Sequence, residues 1–144
     1  MIRTRSRTLV SLLALYISAL AGLSVACNKV PPNLTPVGKI SFGSDQAGKV
    51  VTALQKFTID AEAAGVVTKA DKQAVGKYTE KISKALIDLE DALAAGSGQA
   101  DAKRKAIAIV IEALKQLPDH LTPRAAELVK PYLEQIELLL RLFA

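Results

Sequence analysis

The side chains best suited to chemistry are few in this sequence: one cysteine, Cys27, and one histidine, His120. A zinc site takes three or four ligands from Cys, His and carboxylates. A single thiol and a single imidazole do not assemble one. His120 stands in Pro118-Asp119-His120-Leu121 beside one carboxylate, the setting of a solvated turn. Two carboxylate pairs, Asp88 with Asp91 and Glu134 with Glu137, have the three-residue spacing that puts side chains on one helix face. Each pair lies in a polar stripe beside lysines or an arginine. Neither carries the Glu-x-x-His motif with which helical bundles hold two metals. No glycine-rich phosphate loop and no serine-hydrolase elbow occurs. The reading is of a protein that is not an enzyme, with no catalytic residue, no metal and no cofactor.

Cys27 has a different chemistry, set by what precedes it. Arg3, Arg5 and Arg7 form a basic N-terminus, Leu9 to Leu23 is an almost unbroken apolar run, and small residues Ser24 and Ala26 lead into Cys27. This is the order of parts in a secretory signal peptide, covering residues 1–26. The segment Leu23-Ser24-Val25-Ala26-Cys27 resembles the lipobox of bacterial lipoproteins, with a small residue immediately before a cysteine whose thiol takes a diacylglycerol. The resemblance is confined to the N-terminal fifth of the chain, and Ser24 stands where the family prefers Leu. It implies removal of the leader, lipidation of Cys27 and attachment to the bacterial cell envelope, facing the periplasm or the exterior. A lone thiol in an exported chain also lacks a disulfide partner. In that family an Asp after the cysteine tends to retain the protein at the inner membrane, so Asn28 leans toward the outer one. Two alternatives stay open at this point. Ser24-Val25-Ala26 also satisfies an ordinary signal peptidase, which would leave the thiol free. The run extended to Ala26 approaches the roughly 20 apolar residues of a spanning helix, as in an uncleaved anchor.

The formal charge of +5 does not mark a nucleic-acid binder. Residues 45–144 carry 14 basic and 14 acidic side chains, so the body has no electrostatic footprint for a polyanion. Aromatic residues make up 4% with no Trp, which leaves little on which bases or sugars could stack. The 118 residues from Cys27 onward are one domain's worth.

These residues must be positioned by helices. Residues 27–43 contain prolines and glycines without a lasting period and read as the lipidated cysteine and a flexible tether. The domain proper is then 44–144. A first helix is expected after Ser44, with Ala47, Val50, Val51, Leu54, Phe57 and Ala61 as its apolar stripe and Gly65 as its stop. Thr68 to Asp71 resembles a capping box, opening a second helix with the seam Val75, Tyr78, Ile82, Ala85, Leu89 and Ala92, broadened by Leu86 and Leu93. A third runs from Gln99 to Leu117 on Ile107, Val110, Ile111, Leu114 and Leu117. Apolar residues surround it from Ala106 to Ile111, which predicts a central place. In the fourth, Thr122 caps and Pro123 takes the first helical position, with Ala125, Val129, Tyr132, Ile136, Leu139 and Phe143 as its seam. Pro131 should kink this helix. Short links between four amphipathic helices predict an all-α, antiparallel up-down four-helix bundle.

Three apolar residues, Ile87, Ile109 and Leu138, fall within the charged stripes of their helices and are candidates for a partner surface. The expected function is that of a membrane-anchored lipoprotein whose helical domain works by contact with another protein or with copies of itself. The alternative is a carrier of an apolar ligand or lipid inside the bundle. The alanines in the seams (Ala61, Ala85, Ala92, Ala125) fit close helix approach better than a cavity.

Overall fold

The computed structural model describes residues 30–96 and 98–143. Among them there are four α-helices and no strand, so the protein is all-α. Helix α1 spans Pro36–Ala63, α2 Lys69–Ala95, α3 Gln99–Gln116 and α4 Pro123–Leu140. One 3-10 turn, Leu117–His120, links α3 toward α4, and another, Arg141–Phe143, follows α4.

The first helix begins nine residues before the start predicted after Ser44. Thr35 is extended, its Oγ1 accepts from the Gly38 N–H at 3.1 Å, and Pro36 follows at the first helical position. A proline there gives up only an amide that has no helical partner. The added turns also have something to pack on. Ile40 is partly buried against the core, and a Cβ on Gly43 would lie 2.9 Å from the Phe143 ring and 3.3 Å from the Leu139 carbonyl. Residues 36–43, expected as tether, are therefore part of α1. Only residues up to Thr35 precede it.

The capping box that opens α2 is complete: Thr68 Oγ1 accepts from the Asp71 N–H, and the Asp71 carboxylate accepts from the Thr68 N–H. Gly96 ends α2 and Gly98 precedes α3, both left-handed at φ near 70°, where a side chain would be strained. Helix α4 runs unbroken across Pro131. The proline is exposed, and the seam residues on either side, Val129 and Tyr132, stay buried.

Helix α1 packs against α2 and α4, and α3 packs mainly on α2, touching α4 only slightly. The α1 and α4 seams are buried in full, and Phe57 stacks on Tyr132 at 5.5 Å between ring centroids. Each large side chain buried there is worth about 1.5–3 kcal/mol of transfer free energy. The α2 seam is buried from Val75 to Leu89, while Ala92 and Leu93 are half-buried at its end. The third helix departs from expectation. Ala106, Val110, Ala113, Leu114 and Leu117 face the core, while Ile107 and Ile111 are only partly covered. It is a flanking helix rather than a central one, and its small alanines let it approach α2 closely.

Contacts between α1 and α2 occur in reverse order along the two helices. Ser41 Oγ donates to Glu90 Oε2, Gln55 Nε2 donates to Thr79 Oγ1, and Lys72 Nζ meets Glu62 Oε2. These three pairs fix the register of one helix on the other.

Candidate functional site

The most perturbed carboxylate is structural. Asp71 is 2% exposed. Its Oδ2 accepts from the Thr68 N–H (2.8 Å), the Thr68 hydroxyl (2.8 Å) and the Thr122 hydroxyl (3.1 Å), and its Oδ1 from the Thr122 N–H (2.8 Å). Thr68 and Thr122 are the N-caps of α2 and α4. One side chain therefore ties together the starts of two helices, where both sets of backbone dipoles favour a negative charge. Burial pushes the carboxyl pKa up, but the four hydrogen bonds outweigh it and hold the group below its ordinary value. With its oxygens engaged by the two helix caps, Asp71 ties α2 to α4. Tyr132, 1% exposed, is pushed up to about 12 by burial and stays neutral.

The other candidate acids and the histidine lie at the surface. Asp88 and Asp91 are exposed, with Lys84 Nζ 3.7 Å from Asp88. Glu134 and Glu137 are exposed, with Lys130 Nζ 3.7 Å from Glu134. His120 ends the first 3-10 turn and tilts against Tyr78 at 5.4 Å between centroids. No group of three or more potential metal ligands occurs among the described residues.

What the surface does carry is a groove. It runs between α1 and α2, with a volume of about 930 Å³. Ser41, Ser44, Gly48 and Thr52 line it from α1, and Ser83, Leu86, Ile87 and Glu90 from α2. The α1 side mixes these small residues with the charged Asp45, Lys49 and Lys56, while Ile87 stands 59% exposed on the α2 side. Two polar groups in the groove have unused capacity. Glu90 Oε1 is buried without a partner, and the Ser44 hydroxyl, on a residue 3% exposed, makes no hydrogen bond among the described residues.

The three apolar residues named as candidates for a partner surface line no common recess. Ile87 lines this groove. Ile109 is half-buried in a smaller recess on the other side of α2, with Ala85, Asp88 and Ala102. Leu138 is 55% exposed on α4 and lines neither. The stripe analysis missed Ile59, 55% exposed on α1. Its position off the α1 seam was the available signal. Cys27 and the leader lie outside the described residues. No described helix is long and apolar enough to cross a membrane. No known protein family, curated protein or solved structure matches the chain.

Proposed function

We propose that the protein is an exported lipoprotein of the bacterial cell envelope, held to a membrane by acylated Cys27, whose helical domain acts through protein contacts and not as an enzyme. The observation that carries the anchor is the order basic segment, apolar run, small residues, lone cysteine in residues 1–27. The helical order beginning at Pro36 leaves eight residues, 28–35, between the cysteine and α1. Fully extended, they reach about 26 Å, enough to hold the domain at the membrane without burying it. We further infer an up-down antiparallel bundle. The reversed contacts of α1 with α2, and the placement of Gly43 beside Phe143 and of Phe57 beside Tyr132, support that topology.

The open groove with an exposed isoleucine supports contact as the mode of action. A lipid carrier would need an interior cavity, whereas stacked Phe57 and Tyr132 occupy the middle of the helix pairing. Intact mass spectrometry of the membrane-extracted protein tests the reading. The expected mass lacks residues 1–26 and carries acyl chains that vanish in Cys27→Ser. A retained leader, or a soluble chain with a free thiol, would refute it.

A further inference from the structure

The α1/α2 face that carries the groove pairs with the same face of a second copy, we propose, each exposed isoleucine of one copy seating on a helix glycine of the other. The register of the two helices leads to this. From the Gln55–Thr79 contact, seven residues back along α1 reaches Gly48, and seven forward along α2 reaches Leu86, next to Ile87. Four residues forward along α1 reaches Ile59, and four back along α2 reaches Val75, next to Gly76. Each exposed isoleucine thus stands level with a glycine of the neighbouring helix. Within one chain these pairs stay apart, because a Cβ on Gly48 or Gly76 would meet nothing within 4 Å.

A two-fold axis parallel to the helices and lying over the groove keeps every residue at its own height and sets α1 of one copy on α2 of the other. Ile87 of each copy then covers Gly48 of the other, and Ile59 covers Gly76. The contact is isologous, so it closes at two copies. Charge agrees with it. Lys56 and Glu80 are exposed, have no ion pair among the described residues, and stand within about one helical turn of the same height. The axis brings Lys56 of each copy toward Glu80 of the other.

The inference deepens the contact-domain reading by naming the partner, and it does not need the anchor to be tested. The experiment is light scattering over a concentration series on the full chain extracted from membranes in detergent, with the mass of the same sample read separately. A reversible dimer is expected. Ile87→Glu and Gly48→Leu should each weaken it at least tenfold, with helix content by circular dichroism unchanged, since one site is exposed and the other has open space. The exchange Gly48→Ile with Ile87→Gly moves the knob to the facing helix and should restore it, while Leu138→Glu should leave it untouched. A chain monomeric at every concentration, a dimer indifferent to Ile87→Glu and Gly48→Leu, or a one-to-one complex with a different protein through these positions would overturn the proposal. A dimer with an unmodified Cys27 would leave the pairing standing and remove the anchor alone.

Discussion

Replacing Asp71 by Asn tests how far one buried carboxylate joins α2 to α4. The change conserves shape, so the loss comes from hydrogen bonding and charge. The carboxylate accepts four hydrogen bonds from the two threonine caps. Bonds to a charged group are worth about 1.5–3 kcal/mol each, against about 0.5–1.5 for neutral ones. An amide retains one acceptor oxygen. If that oxygen keeps the three donors at the Oδ2 position, its nitrogen faces the Thr122 N–H, and a buried donor without an acceptor costs about 1–3 kcal/mol. Against this, the variant no longer buries a charge. The balance is a loss of about 3 kcal/mol, which for a domain of this size lowers the melting temperature by roughly 10–20 °C.

Urea denaturation followed by circular dichroism measures that loss. A double-mutant cycle of Asp71→Ala with Thr122→Ala should return a coupling of about 1–2 kcal/mol, because it removes the hydrogen bond that the Thr122 hydroxyl donates to the carboxylate, while the bond from the Thr122 N–H survives in the alanine variant. The pH dependence gives a second readout. The folded pKa lies below the ordinary 3.8, so the stabilisation is complete above that value and is lost as pH falls through the folded pKa. The wild type should therefore lose stability in acid, and Asp71→Asn should lose less over the same range. A loss under about 0.5 kcal/mol, or zero coupling to Thr122, would refute the account of Asp71 as a clamp.

Three further outcomes follow from the packing. Gly43→Ala gains about 1 kcal/mol of helix propensity but drives a methyl against fully buried Phe143 and the Leu139 carbonyl; a net loss of about 1–2 kcal/mol is expected in urea denaturation, and a neutral result would mean that the C-terminal turn is loosely held. Gln46 is 2% exposed with Oε1 unpartnered, so Gln46→Met should raise stability by about 1 kcal/mol in the same assay, despite losing the bond to Asp45. Tyr132 holds its proton to about pH 12 when folded, against 10.0 ordinarily; stability should then fall as pH rises through this window, by roughly 2–3 kcal/mol in total, and Tyr132→Phe should remove that slope.

The helical architecture was legible because burial imposes a period. The stripes of α1, α2 and α4 identify one face without ambiguity, and Thr68 and Thr122 announce the starts of α2 and α4 by their side-chain chemistry. The third stripe failed for a physical reason: Ala106 to Ile111 is apolar on every side, so periodicity cannot choose between Ile107 and Ala106 for the core face. The start of α1 was obscured by Pro31, Pro32 and Pro36, which together look extended, although Pro36 after Thr35 is the N-cap and N1 pairing. The reach of Asp71 to Thr122 spans 51 residues and belongs to tertiary packing. The groove was invisible to a search for chemistry or hydrophobicity because its α1 side alternates small residues, Ser41, Ser44, Gly48 and Thr52, with the charged Asp45, Lys49 and Lys56.

That smallness needs an explanation outside the single chain. Gly43 is accounted for by Phe143, and Gly65, Gly96 and Gly98 by their positive φ. Gly48 and Gly76 lie inside helices with helical φ and open space where a Cβ would go. Each costs about 1 kcal/mol against alanine, and nothing in the fold offsets that cost. Ile59 and Ile87, meanwhile, expose more than half of their surface on the same two helices. A sequence shaped by the fold alone would place alanine at the first pair and a polar residue at the second. Both departures are resolved by one close approach of another helical surface. If the domain is held within about 26 Å of a membrane by its tether, even a weak self-contact is favoured there, because confinement raises the effective concentration of copies without adding a contact.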